Sequence, residues 1–322
     1  HGARFVGALP NCSMFDTSYF SHGMGALEGL FVEPQQRLLL SIVSECDLGS
    51  FATALHFPSY DSGTYIGASR GDYINVLQAH HTVSSAASTG NSLSVLCGRI
   101  SFMYDYRGPS LTVDTACSSS LLASALAVTD LHASLSRIAV VGSVMLILSP
   151  VSTMLLWKAS MLTPDGRCKA LDMSADGYVR SELCGAQLLA KTVCNGMSSI
   201  QYDAFAVNQD GRSSSLTAPN GPSQQALIRL ALSRAQRKPD EILSLQMHGT
   251  GTALGDPIEM GGMSGPLLTA DSTRLLPLSV AASKSCAGHA ETGAGMLAFQ
   301  RLSKQISDTM FSLDLRSMFL PK

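Results

Sequence analysis

The chain has 322 residues and a formal charge of −2, from 22 basic and 24 acidic side chains, and only 14% of its residues are charged. About 25% is usual for soluble proteins, so the composition predicts a large core and a buried interface with a second copy. Nucleic-acid binding is disfavoured because no basic excess neutralises phosphates. The longest apolar run, residues 138–148, is too short for a membrane-spanning helix of about 20 residues.

Eight cysteines and eight histidines are scattered along the chain, with no C-x-x-C pair and no histidine spacing typical of a metal site. This pattern predicts free thiols and no bound metal. Free thiols indicate a reducing compartment. We therefore expect a cytoplasmic protein, with an organellar location as the alternative.

Helix-like and strand-like segments alternate along the chain, which predicts an α/β fold with a mainly parallel sheet. In chain order, the patterns predict a helix at 34–42, strands at 64–66 and 110–114, a helix at 118–135, a buried strand at 138–148, a long structured loop at 163–178, a helix at 222–235, a strand at 243–247 and a strand–turn–helix unit at 278–302. Helical spacing in 118–135 places Leu122 and Leu126 on one apolar face.

The segment SLTVDTACSSSLLASALA places Cys117 where a strand turns into a helix. Free N–H groups and the positive end of the helix dipole stabilise a thiolate at a helix N-terminus. The small neighbours Ala116, Ser118 and Ser119 leave room for a substrate. Cys117 is therefore a candidate nucleophile; the alternative is a small cysteine packed under the helix.

Two histidines stand at similar corners. His248 ends an apolar strand in LQMHGTGTALGDPIEM, whose glycines lack the G-x-G-x-x-G spacing of a dinucleotide site. His289 lies in VAASKSCAGHAETGAGMLAFQ, five residues after Lys284 and two before Glu291, a charged pair that could fix this loop. The alternatives are a structural core histidine at 248 and a surface lysine at 284. Because sites in parallel sheets form at the carboxyl ends of strands, we expect Cys117 and both histidines to meet.

Motifs well beyond these corners resemble those of β-ketoacyl synthases, specifically the ketosynthase domain of a type I polyketide synthase. DTACSSS, HGTGT and GHAE stand in the family's order, and PQQRLLL, LTPDGRCKALDMSADGYVR and HGTGTALGDPIE are also typical, within a similarity that spans roughly residues 14–300. The resemblance implies a thiolase-like fold of two related α/β halves in alternating helix and sheet layers. The cysteine belongs to the half at 1–190 and the histidines to the half at 191–322, and both ends look truncated relative to the family.

The resemblance also implies decarboxylative Claisen condensation, in polyketide or fatty acid biosynthesis. Cys117 would hold the acyl chain as a thioester, and His248 and His289 would drive loss of carbon dioxide from a malonyl-type extender on acyl carrier protein. The chain would bind no cofactor of its own, since the phosphopantetheine arm belongs to the carrier protein. A homodimer is the expected assembly.

Four further residues receive roles from the resemblance. Lys284 and Glu291 match the family's supporting charged pair. Thr250 and Thr252 match residues that contact the phosphopantetheine arm.

The sequence departs from the family pattern at four positions. Cys286 and Ala287 replace the usual Asn-Ile before Gly-His, which predicts a looser loop around His289. Ser181 and Leu183 replace glycines, which predicts a narrower or reshaped acyl tunnel. These departures motivate a second hypothesis, a non-elongating ketosynthase-like module that binds carrier protein or dimerises without condensation. A third is a thiolase or acyl-cysteine hydrolase with Cys286 as the second cysteine.

Overall fold

Two β-sheets organise the residues that the computed structural model describes, namely 6–10, 12, 14–46, 48–56, 58–82, 84–191, 200–268, 274–309 and 317–319. The strands are β1 (Ser62–Gly67), β2 (Ser110–Val113), β3 (Ile138–Met145), β4 (Leu183–Ala190), β5 (Ser244–Gln246), β6 (Ser279–Ala281) and β7 (Ser317–Phe319). The α-helices are α1 (Ala26–Gly29), α2 (Pro34–Glu45), α3 (Leu48–Ala54), α4 (Tyr73–Ala79), α5 (Ala86–Gly90), α6 (Leu93–Tyr104), α7 (Ser119–Ala133), α8 (Pro150–Lys158), α9 (Gly221–Ala235), α10 (Gly255–Leu267), α11 (Lys284–Ala287) and α12 (Ala294–Thr309). Short 3₁₀ turns lie at Ala116–Ser118, Pro239–Glu241 and Glu291–Gly293.

The larger sheet has the strand order β2-β1-β3-β4, and the smaller has the order β6-β5-β7. All pairs are parallel except β3 with β4. The predicted, mainly parallel α/β arrangement is confirmed, and β4 is an addition that the sequence did not predict. Met145 at the end of β3 lies opposite Leu183 at the start of β4, so the intervening chain joins neighbouring strand ends, which is the connection that an antiparallel pair needs.

Strand β3 is buried along its whole length because helices cover both faces of the sheet. Ile138, Val140 and Val144 pack with α2 and α6, while Ala139 and Val141, which point to the other face, pack with α7 and with Met296 of α12. The smaller sheet is packed against α9 and α10. This layering matches the predicted alternation of helices and sheets. The division at residue 190 stays a prediction, and residues 192–199 lie outside the described residues.

Helix α7 packs mainly through small residues, and Leu131 is the one leucine of this helix that is buried. Leu122 and Leu126 are only half-buried, whereas Ser120, Ala123 and Ala127 are buried. The backbone explains this difference, because a Cβ on Gly67 of β1 would lie only 2.6 Å from the backbone nitrogen of Ser120. A helix that approaches a strand this closely leaves no room for leucine in between.

Two further observations bear on the class of protein. No helix within the described part of the chain is both long enough and apolar enough to cross a membrane. The seven cysteines that the structure describes are all free, as predicted; the eighth, Cys194, lies outside the described residues.

A buried carboxyl at the start of α2 predicts that the stability depends on pH. Burial raises the pKa of Glu33 to about 7, from an ordinary value of 4.5, although Gln35 donates a hydrogen bond to the carboxyl at 3.1 Å. The folded state therefore holds this proton more tightly than the unfolded state, and the stabilisation present below pH 4.5 is lost as pH rises through about 7.

We expect Glu33→Gln to remove this dependence. Between pH 5 and pH 8, the wild-type free energy of unfolding should fall by about 2 kcal/mol relative to that of the variant. Urea unfolding at both pH values measures the difference, with Glu45→Gln, on the exposed end of α2, as the matched control. An equal pH dependence in wild type and Glu33→Gln would contradict the prediction.

Candidate active site

Cys117 lies in the 3₁₀ turn that joins β2 to α7, at the corner that the sequence predicts. Ala116 before it has a φ of +54°, a left-handed conformation that is unfavourable for a residue with a Cβ. Side chains hold this turn: the Ala116 N–H donates to Asp114 Oδ1 at 3.1 Å, and Ser119 Oγ accepts from Thr115 N at 2.9 Å and donates to Ala116 O at 2.7 Å. The cysteine is half-buried at the beginning of the helix.

Cys117, His248 and His289 meet, as the sequence predicts. The sulfur and one nitrogen of each imidazole all lie within 4.8 Å of one another. The two imidazole rings are 5.5 Å apart and almost perpendicular. Tyr178, at the end of the long loop, contacts the His289 ring edge-to-face at 4.8 Å.

The backbone on both sides of His289 fixes the direction of its ring. Its N–H donates to Val179 O at 2.7 Å, and its carbonyl accepts from Ser181 N at 3.0 Å. The backbone N–H of Glu291 donates to His289 Nδ1 at 3.0 Å. Because neutral imidazole carries one proton and Nδ1 is an acceptor here, the proton of His289 is on Nε2.

His248 is held in the same way by a different donor. Lys284 is buried, and its Nζ lies 2.5 Å from His248 O and 3.3 Å from His248 Nδ1. An ammonium group has only donors, so Nδ1 of this ring is also an acceptor and Nε2 carries the proton. The alternative of a surface lysine at 284 is thus wrong, and Lys284 lies beside the site.

Two carboxylates that the sequence analysis did not assign build the loop around His248. Glu259 of α10 accepts from the backbone nitrogens of His248 and Gly249, at 2.5 and 2.9 Å. Burial raises the pKa of Glu259, and these two hydrogen bonds oppose the rise. The motif GDPIE could have identified both residues. Acidic residues in the first turns of a helix after a glycine-rich turn are suited to accept hydrogen bonds from free backbone N–H groups.

The second of these carboxylates, Asp256, holds the predicted threonine pair. Its Oδ1 accepts from Gly251 N at 3.1 Å and from Thr252 N at 3.4 Å. The hydroxyl oxygens of Thr250 and Thr252 are 3.2 Å apart, with Thr250 buried and Thr252 half-buried. Both threonines therefore lie on the loop that begins at His248. Their contact with a phosphopantetheine arm stays a prediction.

Glu291 forms its salt bridge with Arg180, not with Lys284 as the spacing suggests. Arg180 Nε and Nη2 donate to the two carboxylate oxygens at 2.5 and 3.2 Å. The guanidinium is 3% exposed. The supporting lysine and glutamate are therefore divided between the two histidines, Lys284 beside His248 and Glu291 beside His289.

The exposed Cys286 lies outside the cluster of Cys117, His248 and His289. Arg301 Nη1 donates to its sulfur at 3.4 Å, and this hydrogen bond lowers the pKa of the Cys286 thiol. The loop behind it is closed by backbone hydrogen bonds, including Gly288 N to Lys284 O at 2.9 Å. This arrangement gives no support to Cys286 as a second catalytic cysteine.

Ser181 and Leu183, the two residues that replace family glycines, pack against the glycines on either side of His289. Ser181 approaches Gly288 so closely that a Cβ on the glycine would lie 3.0 Å from that of the serine. The buried Leu183 fills the space beside Gly293, where a Cβ would lie 2.5 Å from its Cδ2. Their effect on an acyl tunnel stays a prediction.

Comparison with known proteins agrees with this geometry. The model of the beta-ketoacyl synthase N-terminal domain matches residues 2–193, and that of the C-terminal domain matches residues 201–312. A non-reducing polyketide synthase of Preussia isomera is 37% identical over 298 residues, and a phenolphthiocerol/phthiocerol polyketide synthase of Mycobacterium tuberculosis is 36% identical over 289 residues. These alignments cover 91% and 88% of this chain and 13% of each relative.

Solved structures agree as well. An oxazolomycin ketosynthase domain of Streptomyces albus superposes with a TM-score of 0.85, and the ketosynthase from module 6 of the bacillaene synthase of Bacillus subtilis with 0.82, each at 30% identity. Each match covers 95% of this chain, and the chain spans about half of each of those ketosynthases, 54% and 52%.

The fold and the family matches define a condensing-enzyme architecture of the thiolase-like type. The chain belongs to the beta-ketoacyl synthase family, as a ketosynthase domain of the type I polyketide synthase kind.

The surroundings of the thiols predict an order of alkylation. Cys286 should react with iodoacetamide first, because it is exposed and its pKa is lowered. Cys117 should follow, because it is half-buried at a helix N-terminus. Cys168 and Cys184 should react slowly, because burial raises the pKa of both, that of Cys184 to about 12.

Time-resolved peptide mass spectrometry measures this order. In a Cys286→Ser variant, Cys117 should become the fastest of these thiols, and loading with an acyl thioester should protect it alone. Alkylation of Cys168 at the rate of Cys117 would contradict the assignment.

Proposed function

We propose that the chain catalyses decarboxylative Claisen condensation between an acyl group on Cys117 and a malonyl-type extender on acyl carrier protein. One observation carries this proposal: a sulfur and two imidazoles converge, and each imidazole has its Nδ1 held by an N–H donor, so that Nε2 carries the proton. A nucleophile beside two fixed donors is suited to reactions that pass through a thioester enolate.

In the first step, the Cys117 thiolate attacks the carbonyl carbon of an acyl thioester. A carbon–sulfur bond forms to Cys117, the bond to the incoming pantetheine sulfur breaks, and that thiolate takes up the proton that Cys117 gave up. The N-terminus of α7 stabilises the attacking thiolate by its free N–H groups. The Cys117 sulfur, which follows the left-handed Ala116, lies within 4.8 Å of a nitrogen of each histidine.

In the second step, the bond between the malonyl α-carbon and its carboxylate breaks and carbon dioxide leaves. The electron pair delocalises onto the thioester oxygen, where the negative charge develops. Nε2–H groups of His248 and His289 donate hydrogen bonds to this oxygen. A donor of this kind contributes about 2.7–4 kcal/mol to the transition state. The buried Lys284 keeps the His248 ring oriented and adds positive charge nearby.

In the third step, the enolate carbon attacks the carbonyl carbon of acyl-Cys117. A carbon–carbon bond forms, the bond to the Cys117 sulfur breaks, and the thiolate leaves. The product is a β-ketoacyl thioester on the carrier protein, two carbons longer for a malonyl extender. The cysteine is then ready for the next acyl group.

The partners follow from this chemistry. The substrates would arrive as thioesters on the phosphopantetheine arm of acyl carrier protein, and Thr250 and Thr252 would contact that arm beside His248.

We also propose a homodimer. The edge strand β2, which carries the exposed Leu111, is a surface that a second copy would cover. The reaction requires a reduced Cys117, so we place it in the cytoplasm.

Two substitutions separate the chemical steps. Cys117→Ala should abolish the acyl-enzyme, measured by intact mass, and should still release carbon dioxide from a malonyl thioester, because both histidines remain. His289→Ala should lower carbon dioxide release by about 10²–10³-fold, which is the usual loss for one such donor. His132→Ala, at an exposed histidine of α7, is the matched control and should leave the rate unchanged.

The alternative is the non-elongating module. If the wild-type chain forms the acyl-enzyme but releases no carbon dioxide above the rate of His289→Ala, condensation is excluded and this alternative is correct.

A further inference from the structure

Arg180 is buried at the point where the long loop meets β4, and all three nitrogens of its guanidinium are engaged. Nε and Nη2 form a fork on the carboxylate of Glu291. Nη1 donates to Ser152 Oγ at 2.9 Å and to Thr153 Oγ1 at 2.7 Å, both on α8. Ser152 in turn donates to Asp72 at 3.1 Å. Because every guanidinium nitrogen of this buried arginine donates a hydrogen bond, its side chain is held in one conformation.

The same arginine is paired with His289 through the backbone. Residues 180 and 289 form a parallel bridge, in which Val179 O accepts from His289 N and Ser181 N donates to His289 O. The side chain of Arg180 then extends past His289 to the residue two positions further on. The turn at 289–291 is therefore held twice, by the backbone of the neighbours Val179 and Ser181 and by the side chain of Arg180.

Glu291 needs such a partner, because its backbone is strained. Its φ is +42°, in the left-handed region, which is unfavourable for a residue with a Cβ. This conformation aims the Glu291 N–H at His289 Nδ1. The fork from Arg180 is the ion pair that holds the Glu291 side chain while its backbone stays in this conformation.

We infer that Arg180 is a positioning residue that keeps the proton of His289 on Nε2, by holding Glu291 in the conformation whose N–H faces Nδ1. This inference rests on the proposed function, in which Nε2–H stabilises the enolate. Without the fork, Glu291 can relax to an ordinary φ and its N–H leaves Nδ1. The imidazole can then carry its proton on Nδ1, and an Nε2 lone pair would repel the developing oxyanion.

The test is Arg180→Gln, which removes the charge and the fork, with Arg167→Gln as the control at an exposed arginine of the same loop. The tautomer of His289 is read from ¹⁵N chemical shifts of histidine-labelled protein without substrate, assigned by the signal that His289→Ala loses. We expect Nδ1 of His289 to be unprotonated in wild type and Arg167→Gln, and to be protonated in a substantial fraction of Arg180→Gln.

Kinetics provide the second readout. Carbon dioxide release from a malonyl thioester should fall by about 10²–10³-fold in Arg180→Gln, the loss expected for one missing donor. Acylation of Cys117 should stay within about twofold of wild type, since that step does not use His289 as a donor. Arg180→Lys, which keeps the charge without the fork, should restore only part of the loss.

An unchanged His289 tautomer in a folded Arg180→Gln protein would overturn the inference. If this variant does not fold, Glu291→Gln decides, because it keeps the size and loses the ionic fork, and an unchanged tautomer there has the same meaning. The failure of the proposed function is distinguishable: a wild-type chain that releases no carbon dioxide rejects condensation, while the tautomer measurement still decides the role of Arg180.

Discussion

Two N–H donors, the Lys284 ammonium and the Glu291 backbone amide, decide what the three converging side chains can do. Each donor occupies the Nδ1 atom of one imidazole, so each ring presents a proton at Nε2. If either donor were replaced by an acceptor, the same ring would present a lone pair. Both donors are fixed by the folded chain: one is a buried lysine, and the other is a backbone group in a strained turn. Catalysis by preorganised donors requires this fixity, since donors that must reorient during the reaction lose much of their effect.

The same local structure positions all three groups: a strand that ends in a sharp turn, followed by a helix. Cys117 lies between β2 and α7, His248 after β5, and His289 after β6 and α11. The turn with Cys117 follows a strand of the larger sheet, and the two histidines follow strands of the smaller sheet. The two sheets must therefore keep a fixed position relative to each other. The buried face of α7 does part of this: Ser120 Oγ accepts from Met296 N of α12 at 3.0 Å, and Gly67 lets α7 rest on β1. The small serines and alanines of α7 are therefore needed for the close packing that positions the site.

The three side chains of the site could be predicted from the sequence, whereas most of the residues that hold them in place could not. Cys117, His248 and His289 stand at turns whose local chemistry is readable, and the rule for parallel sheets brings strand ends together. The partner of Arg180 cannot be predicted in this way, because its guanidinium contacts Glu291, which lies 111 positions further along the chain and is brought close only by folding. The burial of individual side chains on α7 could not be predicted for a related reason: helical periodicity places Leu122 and Leu126 on one face, but the distance to β1 decides which side chains are buried. Strand β4 was not predicted because LCGAQLLA lacks both β-branched residues and alternation.

A cysteine and two histidines at this separation are also the ligand set that zinc prefers in proteins. Hydrogen bonding to the far side of each ring distinguishes the two uses. A histidine that binds metal through Nε2 has a proton on Nδ1 and donates it to a carbonyl or carboxylate. Here both Nδ1 atoms face donors instead, so a metal at Nε2 would require each ring to lose its only proton, or the Glu291 N–H and the Lys284 ammonium to move away so that this proton could shift to Nδ1. The second layer of groups around the cluster therefore favours oxyanion binding over metal binding, although the three side chains alone would allow both.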